Sequence, residues 1–112
     1  MPNKMMTLLQ QYTEQLKMIY GGHLKAVILY GSYARGDFHA DSDIDIMILL
    51  DIDDMEIKDY RHQLSGLIYD FNMNNDVDIK PIAKSQEHFN KWIGAYPFYR
   101  NVDKEGVSLY AA

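Results

Sequence analysis

Residues 29–50 read LYGSYARGDFHADSDIDIMILL. A Gly-Ser pair at positions 31 and 32 is followed by ten residues and then by Asp43-Ile44-Asp45 at the start of an apolar run. On a strand, residues two apart point to the same face with alpha carbons roughly 6.5–7 Å apart. Asp43 and Asp45 then project side by side while Ile44 and Ile46 face the core. Asp41 and Ser42 read well as turn residues, but Asp45, enclosed by two isoleucines, does not. Two adjacent carboxylates on a mostly apolar strand are unfavourable without a cation between them. Hard cations such as Mg²⁺ favour carboxylate oxygens together with substrate phosphates.

The Gly31-Ser32 pair follows the β-rich run LKAVILY at 24–30 and precedes YARG, which has the makings of a helical turn. Glycine lets the backbone approach a ligand, and a serine hydroxyl with the free N–H groups of a helix start suits phosphate oxygens. A short connection from there to the Asp strand brings anion donors and carboxylates to one cleft, the combination that phosphoryl or nucleotidyl transfer requires. Arg35, three residues past Ser32, is placed either to reach a phosphate or to pair with Asp37 at the surface.

Outward from this stretch, Met5, Leu8, Leu9, Tyr12, Leu16, Ile19 and Tyr20 recur at steps of three and four before Gly21-Gly22, which predicts an amphipathic helix over 3–20. Strands are expected near 25–30 and 43–50. The run DIDD at 51–54 supplies helix-starting carboxylates, and Met55, Ile57, Tyr60, Leu64, Leu67, Ile68 and Phe71 predict one long helix over 55–71, stopped by NMNN. DVDIKPI at 76–82 alternates as a third strand, on which Lys80 shares a face with Asp78 and could balance an acidic cluster. Ser85 is a cap for a short helix carrying Phe89, Trp92 and Ile93. Pro97 opens another that ends at Gly106, and VSLY supplies a brief final strand. The expected fold is α/β (α+β): one domain over 1–112 with a small mixed sheet packed on one side by the helices at 3–20 and 55–71.

Composition narrows the partners. The chain has 112 residues, 47% of them hydrophobic, and no cysteine. Such a chain is long enough for one core without staples and lacks both thiol nucleophiles and Cys-ligated zinc. A reducing cytoplasm is the expected setting, with no export signal in the polar-interrupted N-terminus and no apolar run of membrane-spanning length. The 11 basic against 16 acidic residues give a net charge of −5, which disfavours nucleic acid as a partner. His23, His39, His62 and His88 show no metal-ligand spacing, and Trp92 and Phe98 read as core residues more readily than as base-stacking platforms.

Gly-Ser, ten residues, Asp-x-Asp resembles the signature of the DNA polymerase β-type nucleotidyltransferase superfamily, and the small size resembles its minimal nucleotidyltransferase branch. The likeness covers residues 27–82, and YPFYRNVDKEGVSLY at 96–110 is similar to the C-terminal segment of such proteins. The resemblance implies that Gly31 and Ser32 hold a nucleoside triphosphate, most plainly ATP, and that Asp43 and Asp45 bind two Mg²⁺ ions. A third carboxylate on a later strand is matched by Asp78, flanked by Val77 and Ile79, with Asp76 as the rival. It further implies transfer of AMP to an acceptor hydroxyl, and an antitoxin role beside a helical HEPN-type ribonuclease toxin that receives the AMP. Two alternatives stand beside it: a partner that neutralises by contact alone with an unused nucleotide site, and a subunit of an aminoglycoside-type nucleotidyltransferase.

Overall fold

The computed structural model describes residues 3–112; Met1 and Pro2 lie outside the described residues. Helix α1 (Asn3–Tyr20) runs into a single 3₁₀ turn at Gly21–His23. Four strands follow in the order β1 (Leu24–Tyr30), β2 (Ile44–Leu50), β3 (Ile79–Ser85) and β4 (Val107–Ala111). They form one sheet in the order β3-β2-β1-β4, antiparallel at β1/β2 and β1/β4 and parallel at β2/β3. Between them lie α2 (Ser32–Arg35), α3 (Asp54–Lys58), α4 (Arg61–Asn75), α5 (Gln86–Trp92) and α6 (Pro97–Glu105).

The alternation along β2 sorts its side chains between two cores. Ile44, Ile46, Ile48 and Leu50 pack with Leu9, Tyr12 and Leu16 of α1 and Phe71 of α4. Met47 and Leu49 face the other way, onto Phe89 of α5 and onto Tyr99 and Val102 of α6. The helices expected at 3–20 and 55–71 do share one face of the sheet, and α5 and α6 cover the other, so both faces are buried. A run apolar at five consecutive positions, 46–50, is what two-sided burial demands. Truncating Ile46, which is fully buried, should cost about 2–5 kcal/mol.

Other boundaries move as well. The helix expected at 55–71 is two: α3, capped by the Asp53 side chain accepting from Glu56 N–H at 2.9 Å, and α4. The break is tight, with Asp59 N–H and Tyr60 N–H donating three residues back to Glu56 and Ile57 rather than four. The asparagines do not stop α4, which runs through Asn75 and ends at Asp76 in a left-handed conformation at φ 52°. Residues 76–78 therefore precede β3, which begins at Ile79 rather than at 76 and extends past Pro81 to Ser85. The remaining expectations hold: Ser85 Oγ accepts from His88 N–H at 3.2 Å, Pro97 opens α6, and a last strand closes the edge beside β1. Among the described residues no helix is long and apolar enough to cross a membrane.

Candidate active site

β1 ends at Tyr30, and the chain turns at Gly31 with φ 77° and ψ −155°, a conformation open essentially to glycine. A β-carbon there would collide with the Asp45 carboxylate. The turn thus brings backbone flush against the carboxylate it was expected to face across a cleft. Ser32 then begins α2, whose first backbone N–H groups have no partner within so short a helix. Gly31 C=O accepts from Arg35 N–H and Ser32 C=O from Gly36 N–H, closing the single turn expected of YARG.

The antiparallel register sets Tyr30 opposite Asp45, and the parallel register sets Lys80 on its other side. Asp43 sits one residue before β2, on the same face as Asp45. Asp78 sits one residue before β3, held by its own carbonyl accepting from Ile44 N–H at 2.9 Å. Asp43 and Asp78 therefore meet at one end of β2 and β3, with Asp45 near them on the same face of β2. Lys80 Nζ lies 3.1 Å from Asp43 Oδ2 and 3.9 Å from Asp78 Oδ2. Asp76, in its left-handed helix cap, does not share a strand with Asp78, and it is Asp78 whose carboxyl meets Asp43.

The environments push these groups apart. The Lys80 ammonium, with a hydrogen bond to Asp78, holds the Asp43 carboxyl below the usual range. Asp78 is raised, first by the hydrogen bond to Asp43 and then by desolvation. Asp45 is raised by burial and by the Asp43 charge. Burial, together with the nearby Asp45, pushes the Tyr30 hydroxyl up to about 12. Two carboxyls with divergent proton affinities in contact are a common arrangement for acid–base work. Among the described residues no three carboxylate or imidazole groups form a ready-made metal cage; Asp43 and Asp78 share the Lys80 ammonium instead.

Arg35 makes two surface ion pairs. Its guanidinium lies 3.2 Å from Asp37 and 3.4 Å from Glu105 at the end of α6. Ser42, as expected, closes a turn, accepting from His39 N–H at 2.9 Å. Phe98 is 42% exposed rather than core, edge-on to Tyr30 with ring centroids 5.5 Å apart. Asn72 was not foreseen as part of the site. Its side chain accepts from Ile79 N–H at 2.9 Å and donates to Ile79 C=O at 3.3 Å, fixing the residue next to Asp78. Its signal in the sequence, an asparagine before a strand, reads equally as a helix stop.

A cleft of about 280 Å³ opens beside the cluster, lined by Tyr33, Asp41, Ser42, Asp76 and Asp78 among others. A larger one, about 450 Å³, lies at the opposite end of β2 around Asp51, Asp53, Ser85 and Glu87, away from Asp43, Asp45 and Asp78. His23 there binds Asp51 at 2.7 Å, and His88 binds the Tyr99 hydroxyl at 2.9 Å.

Comparison with known proteins bears on the family and the fold. A protein from Methanocaldococcus jannaschii named "putative protein adenylyltransferase" is 41% identical over 102 residues, covering 91% of this chain and 94% of that one. A second protein of that name from the same organism is 29% identical over 75 residues, 67% of this chain and 74% of that one. Among solved structures, a protein of Sulfolobus solfataricus described as a "putative nucleotidyltransferase" superposes with a TM-score of 0.66 at 23% identity, covering 96% of this chain and 81% of that one. A toxin–antitoxin structure with AMP-PNP gives 0.57 at 20% identity, covering 92% and 73%. A tri-AMPylated HEPN toxin in complex with MNT antitoxin, from Shewanella oneidensis, gives 0.52 at 18% identity, covering 96% and 73%. These solved structures share the fold. The family model described as polymerase beta, nucleotidyltransferase matches residues 6–110. With nearly the whole length matched and the Gly-Ser turn facing its carboxyl cluster, the chain belongs to the polymerase beta nucleotidyltransferase family.

Proposed function

We propose that the chain transfers AMP from ATP to a hydroxyl group on a partner protein, with Mg²⁺ held by Asp43, Asp45 and Asp78. The observation that supports this reading is the contact of Asp43 and Asp78 around one ammonium, close to Asp45, which lies against a glycine whose backbone has no room for a side chain. The donor set fits a divalent cation: carboxylate oxygens only, crowded enough to hold a lysine ammonium between two of them. Bound there, the ions would neutralise polyphosphate charge and polarise the α-phosphoryl group.

The chain's own residues supply the rest. Gly31 and Ser32 line the polyphosphate with backbone N–H groups and a hydroxyl. Asp45, fixed by the turn against it and by its neighbours in the sheet, sets the distance between cation and nucleotide. Asp78, raised in proton affinity and open to solvent, orients the acceptor hydroxyl and takes its proton. The acceptor O–H bond breaks, an O–P bond forms at the α-phosphorus, and the bond to the leaving pyrophosphate breaks in line. Arg35, tied to Asp37 and Glu105, reaches the polyphosphate only by leaving those partners.

A protein acceptor is favoured by the relatives named protein adenylyltransferases and by the shared fold of the MNT antitoxin bound to an AMPylated HEPN toxin. A HEPN-type toxin is accordingly the partner we propose. ATP labelled in the α-phosphate tests the reaction. With Mg²⁺ and a co-encoded protein, label should move to that protein, whereas γ-labelled ATP should transfer nothing. Transfer of γ-label would make the chain a kinase and overturn the proposal.

A further inference from the structure

Lys80 projects from β3 on the face it shares with Asp45, and its ammonium stands 3.1 Å from one carboxylate and 3.9 Å from another. Among the described residues no other cation takes that place: Arg35 is engaged by Asp37 and Glu105 at 3.2 and 3.4 Å. Lysine suits a transient post, being a compact charge on a flexible stem, whereas arginine's planar fork would lock onto a carboxylate through two bonds. The side chain is 58% exposed, so the ammonium can leave without repacking the core.

We propose that Lys80 is an internal counter-ion that holds Asp43 and Asp78 together and competes with the divalent cation for them, keeping cation affinity low until a nucleoside triphosphate draws the ammonium away. This rests on the reading that these carboxylates hold the cation. A divalent ion drawn to the Oδ2 atoms that face Lys80 displaces the ammonium from both carboxylates. Arriving with its own negative charge, the polyphosphate offers the freed ammonium a new partner next to the old one. Cation and nucleotide then favour each other's binding through Lys80, and by linkage the coupling is reciprocal.

The test measures Mn²⁺ binding to the full chain by calorimetry, alone and with a non-hydrolysable ATP analogue, for wild type, Lys80→Met and Lys80→Arg. Without nucleotide, Lys80→Met should bind Mn²⁺ about three- to tenfold tighter, the size that two exposed ion pairs support, and Lys80→Arg, whose fork holds the carboxylates more firmly, should bind it more weakly than wild type. With the analogue, the gap between wild type and Lys80→Met should close. The metal-free Lys80→Met protein should also melt earlier than wild type and regain the difference when Mn²⁺ is added. Equal or weaker Mn²⁺ binding by Lys80→Met overturns the role of Lys80 alone. Absence of Mn²⁺ binding in both proteins, with and without nucleotide, overturns the metal reading and the counter-ion with it.

Discussion

Gly31 and Asp45 form a pair whose geometry makes a specific energetic claim. At φ 77° and ψ −155°, any side chain at position 31 is strained, and its β-carbon also meets the Asp45 carboxylate. Gly31→Ala should therefore destabilise by about 1–3 kcal/mol. The same change should cost less in an Asp45→Ala background, because only the collision is relieved there. Urea denaturation of the four proteins of that cycle measures the coupling, and strictly additive losses would show that the contact does not exist. Tyr12 makes the opposite claim. Its hydroxyl is fully buried and has no hydrogen-bond partner among the described residues. Tyr12→Phe should be neutral or stabilising by up to about 1 kcal/mol, where most core changes destabilise; a clear loss would reveal a partner for that hydroxyl.

At the scale of elements, the third carboxylate depends on how α4 is joined to β3. Asn72 bonds both backbone groups of Ile79, so Asn72→Ala should cost about 1–3 kcal/mol and loosen Asp78, which directly precedes the clamped residue. Amide hydrogen exchange at Ile79 should accelerate by more than the fall in global stability explains. Exchange that tracks global stability would leave Asn72 a merely structural residue. The same junction shows where sequence reasoning stopped. The strand carrying Asp45 was readable because two isoleucines alternate with two carboxylates, and the Gly-Ser turn because a helical turn must follow it. The split of 55–71 into two helices was not, since Met55 through Phe71 keep one period across a break made only by backbone bonds at Asp59 and Tyr60. Nor was the Asp76 cap, because a left-handed aspartate and a strand aspartate look alike in sequence. Lys80 was placed on the right face by alternation alone, but its reach to both Asp43 and Asp78 needed the parallel pairing of β2 with β3.

Over the whole molecule, two cores on opposite faces of one sheet hold the carboxyl cluster at its rim. Second-face burial is signalled by the unbroken apolar run at 46–50, but which elements supply that cover, α5 and α6, is not legible there because the pattern names no partner. Burial of tyrosines ties this architecture to pH. Tyr20 and Tyr30 are each pushed up to about 12, mainly by desolvation, and Tyr12 is raised further. A raised folded-state value means the unfolded chain loses its phenolic protons first. Stability is then fully present below about pH 10, the ordinary tyrosine value, and falls as pH rises from there towards 12. Melting temperature against pH should drop across that window, and less steeply in Tyr12→Phe; a flat profile would contradict the burial of these rings. The central claim is that Asp43, Asp45 and Asp78 work as one AMP-transferring centre acting on a protein. Mass spectrometry of the co-encoded partner tests it most directly, after incubation with ATP, Mg²⁺ and either the wild-type chain or the triple Asp→Asn variant. The account predicts a partner heavier by whole AMP units with the wild type and unmodified with the variant. A partner that stays unmodified with the wild type, yet is neutralised equally by both proteins, would contradict it.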